Sequence, residues 1–323
     1  MTMDIGGSFR HELTGSFSQG SDSNPTVAMV EASFKANNLH FRYVNCEVNP
    51  DQLEAAVQGA RAMNWRGFNC SIPHKVEVIK YLDGLGESAS LIGAVNCAVN
   101  RDGKLIGENT DGKGFLKSFL ELTPATGKTI VLLGAGGAAR AIAVELALAG
   151  AAKFYVVNRS RTRGEELAAL LNEKTKATAE FVEWSKTYSI PLDADVVINS
   201  TSMGMVNTEG KQDINFNSIR PGMLAADVIV NPPQTYFLDE AGKRGATTLQ
   251  GLGMVVNQAV IGIKYWTGAD VDAKDLNDEL LRVLGLALTL ERSDSATTRR
   301  ACAAIVRAGF MAADDGKNPP SIK

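Results

Sequence analysis

The hydrophobic pattern in the first third of the chain changes repeatedly between two periods. Short runs rich in β-branched and aromatic residues predict strands at residues 41–47 and 67–72, and apolar residues at helical spacing predict helices at 51–63 and 75–82. The segment NCAVNRDGKLIGE predicts a hairpin, because Asp102-Gly103 is a turn dipeptide between two alternating stretches. Together these elements predict a small α/β unit with a mixed sheet.

From residue 129 the pattern becomes strand, helix, strand at the spacing of βαβ units. TIVLLG and KFYVVN are apolar strands on either side of a small-residue helix at 137–148, and VVINS and MLAADVIV add two more apolar strands. Continuous apolar strands are typical of a parallel sheet covered on both faces, so the pattern predicts a doubly wound Rossmann domain. Helices predicted at 255–266 and 273–290 then return to the first unit.

These patterns predict two domains and a tail. The mixed-sheet domain comprises residues 1–114 and 256–292, the doubly wound domain 115–255, and the C-terminal tail 293–323. A chain of 323 residues exceeds the size at which one core usually stops growing, which agrees with two domains.

Charge and hydropathy exclude several classes of partner. The formal net charge of −3 provides no attraction to nucleic acid or anionic lipid. No apolar run approaches the roughly 20 residues of a membrane span, and the first residues lack an apolar signal core. We therefore expect a cytoplasmic protein with no nucleic-acid and no membrane partner, as a monomer or homodimer.

Four cysteines are too dispersed to form a metal site. Cys46, Cys70, Cys97 and Cys302 show no CxxC spacing, and the chain has three histidines, so we expect no metal and reduced thiols. Cys70 and Cys97 are expected to be small apolar filler beside the site, because no nearby base is evident.

A glycine-rich turn, GAGGAAR, joins the strand at 129–134 to the following helix. Gly134 permits the tight turn, Gly136 lets the backbone approach a pyrophosphate, and Ala139 allows close packing of helix on strand. Free N–H groups and the positive end of the helix would then hold the diphosphate. The residues expected to bind the dinucleotide here are Gly134, Ala135, Gly136, Gly137, Ala138 and Ala139.

The end of the second strand, VVNRSRTR, indicates which dinucleotide is bound. Asn158 stands where an NAD enzyme usually has a carboxylate, which would repel a 2′-phosphate. Arg159 and Arg163 are suited to grip that phosphate, and Ser160 adds a hydroxyl. The pattern favours NADP(H); the alternative is a solvated basic stretch at a helix start, which we expect for Arg161.

Five motifs follow one another along the chain: NCSIPHK (69–75), GAVNCAV (93–99), GENTDGKGF (107–115), NSTSMGM (199–205) and GLGMVVNQAV (251–260). In these motifs and their order the chain resembles the shikimate dehydrogenase family over residues 67–268. The resemblance implies a cyclic polyol substrate and an NADP-dependent alcohol dehydrogenase of aromatic amino acid biosynthesis, in the chorismate pathway.

The resemblance also assigns the catalytic pair. It makes Lys75 the group that exchanges a proton with the substrate oxygen, and Asp111 its partner. Reduction of a ketone leaves an alkoxide that needs a proton donor within hydrogen-bond reach, so the chemistry requires such a group. The alternatives are that Lys75 is a solvated first-turn residue and that Asp111 caps the helix beginning near Gly112.

Polar residues of the same motifs are expected to hold the substrate. The resemblance assigns Ser71, Asn96 and Gln258 to the ring hydroxyls, with Asn69 as support. Asn109 and Thr110 are weaker candidates that could instead fix the turn before Asp111, and His74 is expected to be an exposed bystander. Near the nicotinamide we expect Asn199, Thr201, Ser202 and Gly204. We also expect Val228, Gly251 and Met254 to bind the cofactor, although Met254 could equally be core filler.

Three positions depart from the family pattern. Its members usually carry two serines one residue apart near the amino terminus, which bind the carboxylate of shikimate; counting back from Phe34 places Asn24 and Thr26 there, although Ser21 and Ser23 could serve if the loop is longer. Val230 replaces a usual tyrosine, and Ser71 replaces threonine.

The expected reaction is the reversible reduction of 3-dehydroshikimate to shikimate with NADPH. The departures leave two alternatives open: an NADP-dependent dehydrogenase of quinate or another cyclic polyol, and, from a different class, a non-catalytic NADPH-binding sensor. Retention of both Lys75 and Asp111 argues against the sensor, which needs no proton donor.

Overall fold

Two six-stranded sheets organise the part of the chain that the structure describes. The computed structural model describes residues 10–205 and 211–286; the tail predicted at 293–323, the end of the helix predicted at 273–290 and Cys302 lie outside these ranges. The strands are β1 Glu12–Ser18, β2 Phe41–Glu47, β3 Gly67–Cys70, β4 Gly84–Leu85, β5 Cys97–Arg101, β6 Lys104–Glu108, β7 Thr129–Leu133, β8 Lys153–Asn158, β9 Thr178–Glu183, β10 Tyr188–Ser189, β11 Val196–Asn199, β12 Ile214–Asn215, β13 Leu224–Asp227 and β14 Thr247–Leu249. The helices are α1 Thr26–Ala36, α2 Leu53–Ala62, α3 His74–Glu77, α4 Glu87–Ile92, α5 Thr110–Leu120, α6 Gly137–Leu148, α7 Arg161–Lys174, α8 Tyr236–Gly242, α9 Leu252–Thr267 and α10 Ala273–Val283.

The first sheet is mixed, with strand order β2-β1-β3-β5-β6-β4. Strand β5 runs antiparallel to β3 and β6, and the other pairs are parallel. The predicted hairpin is β5–β6, and its turn residues Asp102 and Gly103 both have positive φ angles, 53° and 86°. The helix predicted at 75–82 is divided into the single turn α3 and a 3₁₀ turn at Val78–Tyr81.

The second sheet has the order β14-β13-β11-β7-β8-β9, and all its strand pairs are parallel. Its strands are buried apolar segments, and α6 occupies the residues predicted for the helix after the glycine turn. Because the chain crosses from one side of β7 to the other, the carboxyl ends of β7 and β11 flank a crevice where ligands of such sheets bind. The predicted fold class, a mixed-sheet unit followed by a doubly wound Rossmann unit, is confirmed.

The last two described helices return to the mixed sheet, as predicted. Helices α9 and α10 share one apolar core with α1, which includes Met29, Phe34, Trp266 and Leu280. The Trp266 indole Nε1 also donates to the Ala98 carbonyl of β5 at 3.0 Å. No described helix is both long and apolar enough to cross a bilayer.

Helix α5 lies in unusually close contact with its two neighbours. A Cβ added to Gly114 would lie 2.5 Å from the Met254 carbonyl oxygen and 2.6 Å from the Gln258 nitrogen, both on α9. A Cβ added to Gly112 would lie 2.4 Å from the Ala141 carbonyl oxygen on α6. Real Cβ atoms do not approach backbone this closely, so the packing of α5 requires glycine at both positions.

The Gly114→Ala variant should therefore be destabilised by about 1–3 kcal/mol, because the added methyl forces α5 and α9 apart. The matched control is Gly59→Ala in α2, where the nearest atom to an added Cβ is the Met63 Cε at 3.9 Å. That helical glycine has room, and alanine there should raise stability by about 0.5–1 kcal/mol. Urea unfolding of both variants measures the difference, and equal effects would contradict the packing argument.

Candidate active site

A cleft of about 480 Å³ lies between the mixed sheet and the carboxyl ends of the parallel strands. Its size is that of a small-molecule or cofactor site. Its walls come from both halves of the fold, with α3 and α5 on one side and the glycine turn on the other. The predicted site residues that line it are Lys75, Asp111, Gln258, Gly134, Ala135, Gly136, Gly137, Ala138, Asn158, Arg159, Ser160, Arg163, Thr201, Ser202, Val228 and Met254.

Lys75 and Asp111 meet in this cleft. The Lys75 Nζ lies 2.7 Å from the Asp111 Oδ2, and the two side chains are 29% and 12% exposed. Such partial burial strengthens their attraction relative to an ion pair in open water. Lys75 enters the cleft from the single turn α3, and its backbone carbonyl accepts from the Val95 nitrogen at 2.7 Å. The ammonium and carboxylate therefore form one polar group with an edge facing the cleft.

Asn96 fixes the position of Asp111. Its amide Nδ2 donates to the Asp111 Oδ1 and to the Thr110 Oγ1, both at 2.9 Å, and its Oδ1 accepts from the Thr110 nitrogen at 2.6 Å. Asn109, rather than Asp111, is the N-cap of α5, because its Oδ1 accepts from the Gly112 nitrogen at 3.2 Å. Asp111 thus keeps Oδ2 for Lys75, and the capping alternative for Asp111 does not apply.

A small recess opens beside the catalytic candidates. It is lined by Asn24, Thr26, Asn69, Cys70, Ser71, Lys75, Asn96, Asp111 and Gln258. The structure therefore brings together all the predicted substrate-binding residues, including Asn24 and Thr26. Ser21 and Ser23 do not line it, since the Ser21 nitrogen bonds the Glu47 carboxylate and the Ser23 hydroxyl bonds the Gly20 carbonyl. Of the two pairs that the sequence offered for this position, Asn24 and Thr26 are therefore the pair that lines the recess.

Tyr43 is a site-supporting residue that sequence reasoning missed. It is buried on β2, and its hydroxyl donates to the Asn69 Oδ1 at 2.8 Å, while the Asn69 Nδ2 donates to the Asn96 carbonyl at 2.9 Å. Burial raises the pKa of the Tyr43 phenol, so it remains a protonated donor at neutral pH. Side-chain alternation along the strand FRYVNCE places Tyr43 on the inward face, and this pattern could have identified it from the sequence.

The expectation for His74 was wrong. His74 is 1% exposed, and its ring Nε2 lies 2.8 Å from the Val48 carbonyl oxygen. The first turn of α3 directs this side chain under the loop after β2, while Lys75 points into the cleft.

The predicted role of Cys70 and Cys97 agrees with their burial, which raises the pKa of both thiols and leaves them poor nucleophiles.

The glycine turn has the shape that a diphosphate requires. Gly134 has φ 107°, and a Cβ added there would meet the Ser200 Oγ at 3.0 Å. Around Gly136 and Gly137 an added Cβ would meet nothing within 4 Å, so the backbone there faces open space at the start of α6. No side chain caps this helix start, which leaves its N–H groups available to an anion. Ala139 does not line the cleft and is buried in the core below the turn.

The end of β8 carries the arginines expected to select the dinucleotide. The Asn158 Nδ2 donates to the Ser160 carbonyl at 2.9 Å, and Ser160 caps α7 by accepting from the Arg163 nitrogen. Arg161 pairs with Glu165 and Glu183 on the surface and does not line the cleft, in agreement with its predicted solvated role. The Arg159 Nη2 contacts the Met203 Sδ at 3.1 Å, and no carboxylate lies within ion-pair distance of Arg159 among the described residues.

The remaining residues predicted near the nicotinamide or the cofactor separate into those that line the cleft and those that do not. Thr201, Ser202, Val228 and Met254 line the cleft. Gly204 and Gly251 do not; a Cβ on Gly251 would lie 2.5 Å from the Ile229 carbonyl oxygen, so this glycine permits α9 to begin against the loop after β13. Asn199 is buried below the cleft, where its Oδ1 accepts from the Thr201 hydroxyl at 2.7 Å.

Asp227 is a second residue that the sequence argument missed. It is fully buried at the carboxyl end of β13 and accepts from the Thr235 hydroxyl at 2.7 Å, the Asn199 amide at 3.0 Å and the Ile229 nitrogen at 3.1 Å. Burial raises the pKa of Asp227 to about 6, and the hydrogen bonds only partly oppose it. The sequence feature that could have identified Asp227 is its position as an acidic residue at the end of an apolar strand.

Comparison with known proteins identifies the family. The family model of the shikimate dehydrogenase substrate-binding domain matches residues 22–98, and that of shikimate/quinate 5-dehydrogenase matches residues 118–230. The shikimate dehydrogenase (NADP+) of Desulforamulus reducens is 39% identical over 263 residues, covering 80% of this chain and 90% of that protein. The chain belongs to the shikimate dehydrogenase family.

Solved structures similar to this chain differ in the substrate that each is named for. The ligand-free 5-ketofructose reductase of a Gluconobacter strain is 53% identical, with a TM-score of 0.83, and is matched over its whole length by 85% of this chain. The shikimate 5-dehydrogenase of Listeria monocytogenes, solved with shikimate and NAD, is 31% identical, with a TM-score of 0.80 and coverage of 87% and 99%. Solved structures similar to this chain thus carry different substrates in their names.

Because Asp227 has a raised pKa in the folded protein, the native state binds its proton more tightly than the unfolded chain, where an aspartate titrates near 3.9. Its contribution to stability is therefore full below about pH 4 and is lost as the pH rises through 6. The unaltered protein and the Asp227→Asn variant should therefore differ in unfolding free energy by an amount that depends on pH. This difference, unaltered protein minus variant, should fall by up to about 3 kcal/mol between pH 4 and pH 7.5. Urea unfolding of both proteins at several pH values measures the difference.

The control variant is Asp193→Asn. The Tyr155 hydroxyl lowers the pKa of the exposed Asp193 carboxyl, so the corresponding difference should stay nearly constant above about pH 5 and fall only as the pH drops below about 4. A pH-independent difference for Asp227→Asn would contradict a protonated buried carboxyl.

Proposed function

We propose that the chain is an NADP-dependent oxidoreductase that acts on a CH–OH group, and that its reaction is the reversible reduction of 3-dehydroshikimate to shikimate in aromatic amino acid biosynthesis. The observation that carries the proposal is the 2.7 Å Lys75–Asp111 pair, in the same cleft as the glycine turn. The named relatives with this activity support it. A non-catalytic sensor has no need of such a pair.

The cleft fits NADPH. The open backbone at Gly136 and Gly137 and the uncapped start of α6 suit the diphosphate, and Arg159 and Arg163 with Ser160 suit the 2′-phosphate. Thr201, Val228 and Met254 would flank the nicotinamide. When bound, this cofactor supplies the hydride that reduces the ketone.

The side chains of this chain would handle the proton and the orientation of the substrate. The Lys75 ammonium donates a proton to the oxygen as it becomes an alkoxide, and in the reverse direction the amine accepts it. Asp111, held by Asn96, keeps the ammonium directed at that oxygen and stabilises its charge. Ser71, Asn96 and Gln258 pair with ring hydroxyls, and the walls of the cleft exclude water from the reacting carbon.

A neutral polyhydroxy ketone of the 5-ketofructose type is the second candidate substrate. The higher identity to the Gluconobacter reductase favours it, and so does the corner formed by Asn24 and Thr26. Two serine hydroxyls can both donate to a carboxylate, whereas the Asn24 amide already donates to the Ser16 Oγ at 3.3 Å and accepts from the Thr26 nitrogen at 3.0 Å. A hydroxyl, which both donates and accepts, suits such an amide better than a carboxylate does.

A substrate panel distinguishes the candidates. The purified full chain is assayed by the absorbance of the reduced dinucleotide, with NADP+ or NAD+ for the alcohols shikimate and quinate and with NADPH or NADH for the ketone 5-ketofructose. Turnover of shikimate with NADP+ is expected. Reduction of 5-ketofructose without any turnover of shikimate would reject the first substrate and keep the reaction class, and strictly NAD-dependent turnover would reject the cofactor.

Replacing Asn24 and Thr26 together with serine should raise the ratio of kcat/KM for shikimate over 5-ketofructose by about tenfold or more, because two hydroxyl donors return to the carboxylate corner. Ser23→Ala is the control, since Ser23 bonds the Gly20 carbonyl outside the recess. An unchanged ratio would remove these two residues from substrate selection.

Lys75→Ala should lower kcat by about 10²–10⁴-fold while the affinity for NADPH stays nearly unchanged, because the variant loses proton transfer and keeps the dinucleotide contacts. Lys80→Ala is the control, since the exposed Lys80 pairs with Glu77 outside the cleft. Stopped-flow turnover and fluorescence titration with NADPH provide the two measurements. Full activity of Lys75→Ala would end the catalytic assignment.

Arg159→Gln should raise the KM for NADPH by about tenfold or more, because a charge-assisted contact to the 2′-phosphate is lost, and should leave the KM for NADH unchanged. Arg161→Gln removes a neighbouring arginine that is paired with Glu165 and Glu183, and it should change neither value. Equal effects of Arg159→Gln on both cofactors would contradict the phosphate contact.

We propose residues 1–114 with 256–292 as the substrate domain and 115–255 as the NADP domain, in accord with the family models. The substrate is a small molecule. A cytoplasmic location and a monomeric or homodimeric state remain predictions, and sedimentation measures the second.

A further inference from the structure

Arg140 connects the start of α6 to the mixed-sheet half of the fold. It lies in the first turn after the glycine turn, but it lines neither the catalytic cleft nor the substrate recess. Its Nε donates to the Ile92 carbonyl at 2.5 Å, and its Nη2 donates to the Leu91 carbonyl at 3.3 Å. Both carbonyls belong to the end of α4, so the side chain spans from one half of the fold to the other.

The two carbonyls lie where a helix needs external donors. Helix α4 ends at Ile92, and Gly93 follows in the left-handed region with φ 72°. The last carbonyls of a helix have no N–H partner within it, and a guanidinium can bond two adjacent carbonyls because its N–H groups form a rigid fork. Glycine restricts its own φ and ψ least, so the direction of the chain after Gly93 depends on contacts on either side of it. Arg140 supplies the contact before Gly93.

The segment after α4 contacts both members of the proposed catalytic pair. The Val95 nitrogen donates to the Lys75 carbonyl at 2.7 Å, and the Asn96 amide donates to the Asp111 Oδ1 at 2.9 Å. Residues 91–96 are therefore bonded to α6 at one end and to the catalytic pair at the other. This segment directly connects the start of α6, where the dinucleotide would bind, with the side chains that would handle the proton.

Apolar packing holds the same segment close to α6. Ile92 is 3% exposed and belongs to the core of the parallel-sheet half together with Ala139 and Ile142, and Ala94 packs against that core. Such packing is not directional, so it limits the distance between the segment and α6 without fixing how the peptide groups are turned. The hydrogen bonds of Arg140 supply that direction.

We propose that Arg140 is a positioning residue of the reaction. By bonding the end of α4, it holds residues 91–96 in one orientation against α6, and so sets Lys75 and Asp111 at a fixed place relative to the glycine turn. This inference rests on the proposed function, in which the hydride comes from the dinucleotide and the proton from Lys75. Both must reach the same carbonyl group, and a displacement of about 1 Å can lower the rate about 10²-fold.

Arg140→Lys keeps the positive charge but replaces the rigid fork with a single ammonium, which cannot hold both carbonyls in the same way. It should lower kcat by about 10–100-fold, for the substrate that the unaltered full chain turns over best, and should change the KM for NADPH by less than about threefold. Arg140→Met removes every donor and should lower kcat further, so that lysine gives a partial rescue. Steady-state kinetics measure these values. An unchanged kcat, or an effect confined to the KM for NADPH, would overturn the proposal.

Arg220 offers a matched control. It also donates to backbone carbonyls at 2.8–3.2 Å, and it lines neither the cleft nor the recess; the carbonyls are those of Pro191, Leu192, Ala194 and Ser218. Arg220→Lys therefore removes comparable contacts and should leave kcat and the KM for NADPH unchanged. An equal loss of kcat in the two lysine variants would show a general effect of lost stability and would contradict the positioning role.

Hydrogen exchange tests the anchoring without using activity. In the full-length Arg140→Lys protein, the amides of residues 94–97 should exchange at least about tenfold faster than in the unaltered protein, because the Val95–Lys75 hydrogen bond opens more often once the segment is released. Arg220→Lys should leave their exchange unchanged. Absence of turnover in the unaltered protein would reject the proposed function and with it the positioning role, while faster exchange in Arg140→Lys would still support the anchoring. Exchange that is the same in Arg140→Lys and the unaltered protein would refute the anchoring itself.

Discussion

The close packing of helix α5 against α9 and α6 is the constraint on which the site depends. Gly114 lets α5 rest on the backbone of α9, and Gly112 lets it rest on α6 of the parallel sheet. The start of the same helix carries Asp111, and the facing turn of α9 carries Gln258. Because these contacts are backbone to backbone, they leave little freedom for Asp111 to move relative to either half of the fold.

A chain of buried polar contacts transmits this rigidity to the substrate recess. Tyr43 holds Asn69, Asn69 holds the Asn96 carbonyl, and the Asn96 amide holds Asp111 and Thr110. Each donor in the chain has an acceptor, so the network stabilises one arrangement of the side chains. Ring hydroxyls would therefore meet groups that are already oriented, which reduces the entropy lost on binding.

The sequence predicted those parts of the fold in which local pattern and burial agree. The bounds of β2, β8 and α6 coincide with the predicted segments, since apolar runs there are bordered by glycine or polar residues. Strand β1 was missed because its inward positions include Thr14 and Ser16, which are satisfied by partners on β2 that no local pattern reveals. The burial of His74 escaped prediction for the same reason, because its acceptor is a distant backbone carbonyl. Long-range polar contacts decide both cases.

The site separates a fixed chemical centre from a variable recognition corner. Lys75 and Asp111 are held by helix starts and by Asn96, so the proton donor of the proposed reaction would keep the same place whichever carbonyl is bound. The residues proposed to select the substrate include Asn24, which lines the recess from the short loop before α1. A loop residue can change while the packed helices do not, and under the proposed assignment one altered donor there would change which substrate is bound. Family membership therefore determines the reaction more strongly than it determines the substrate.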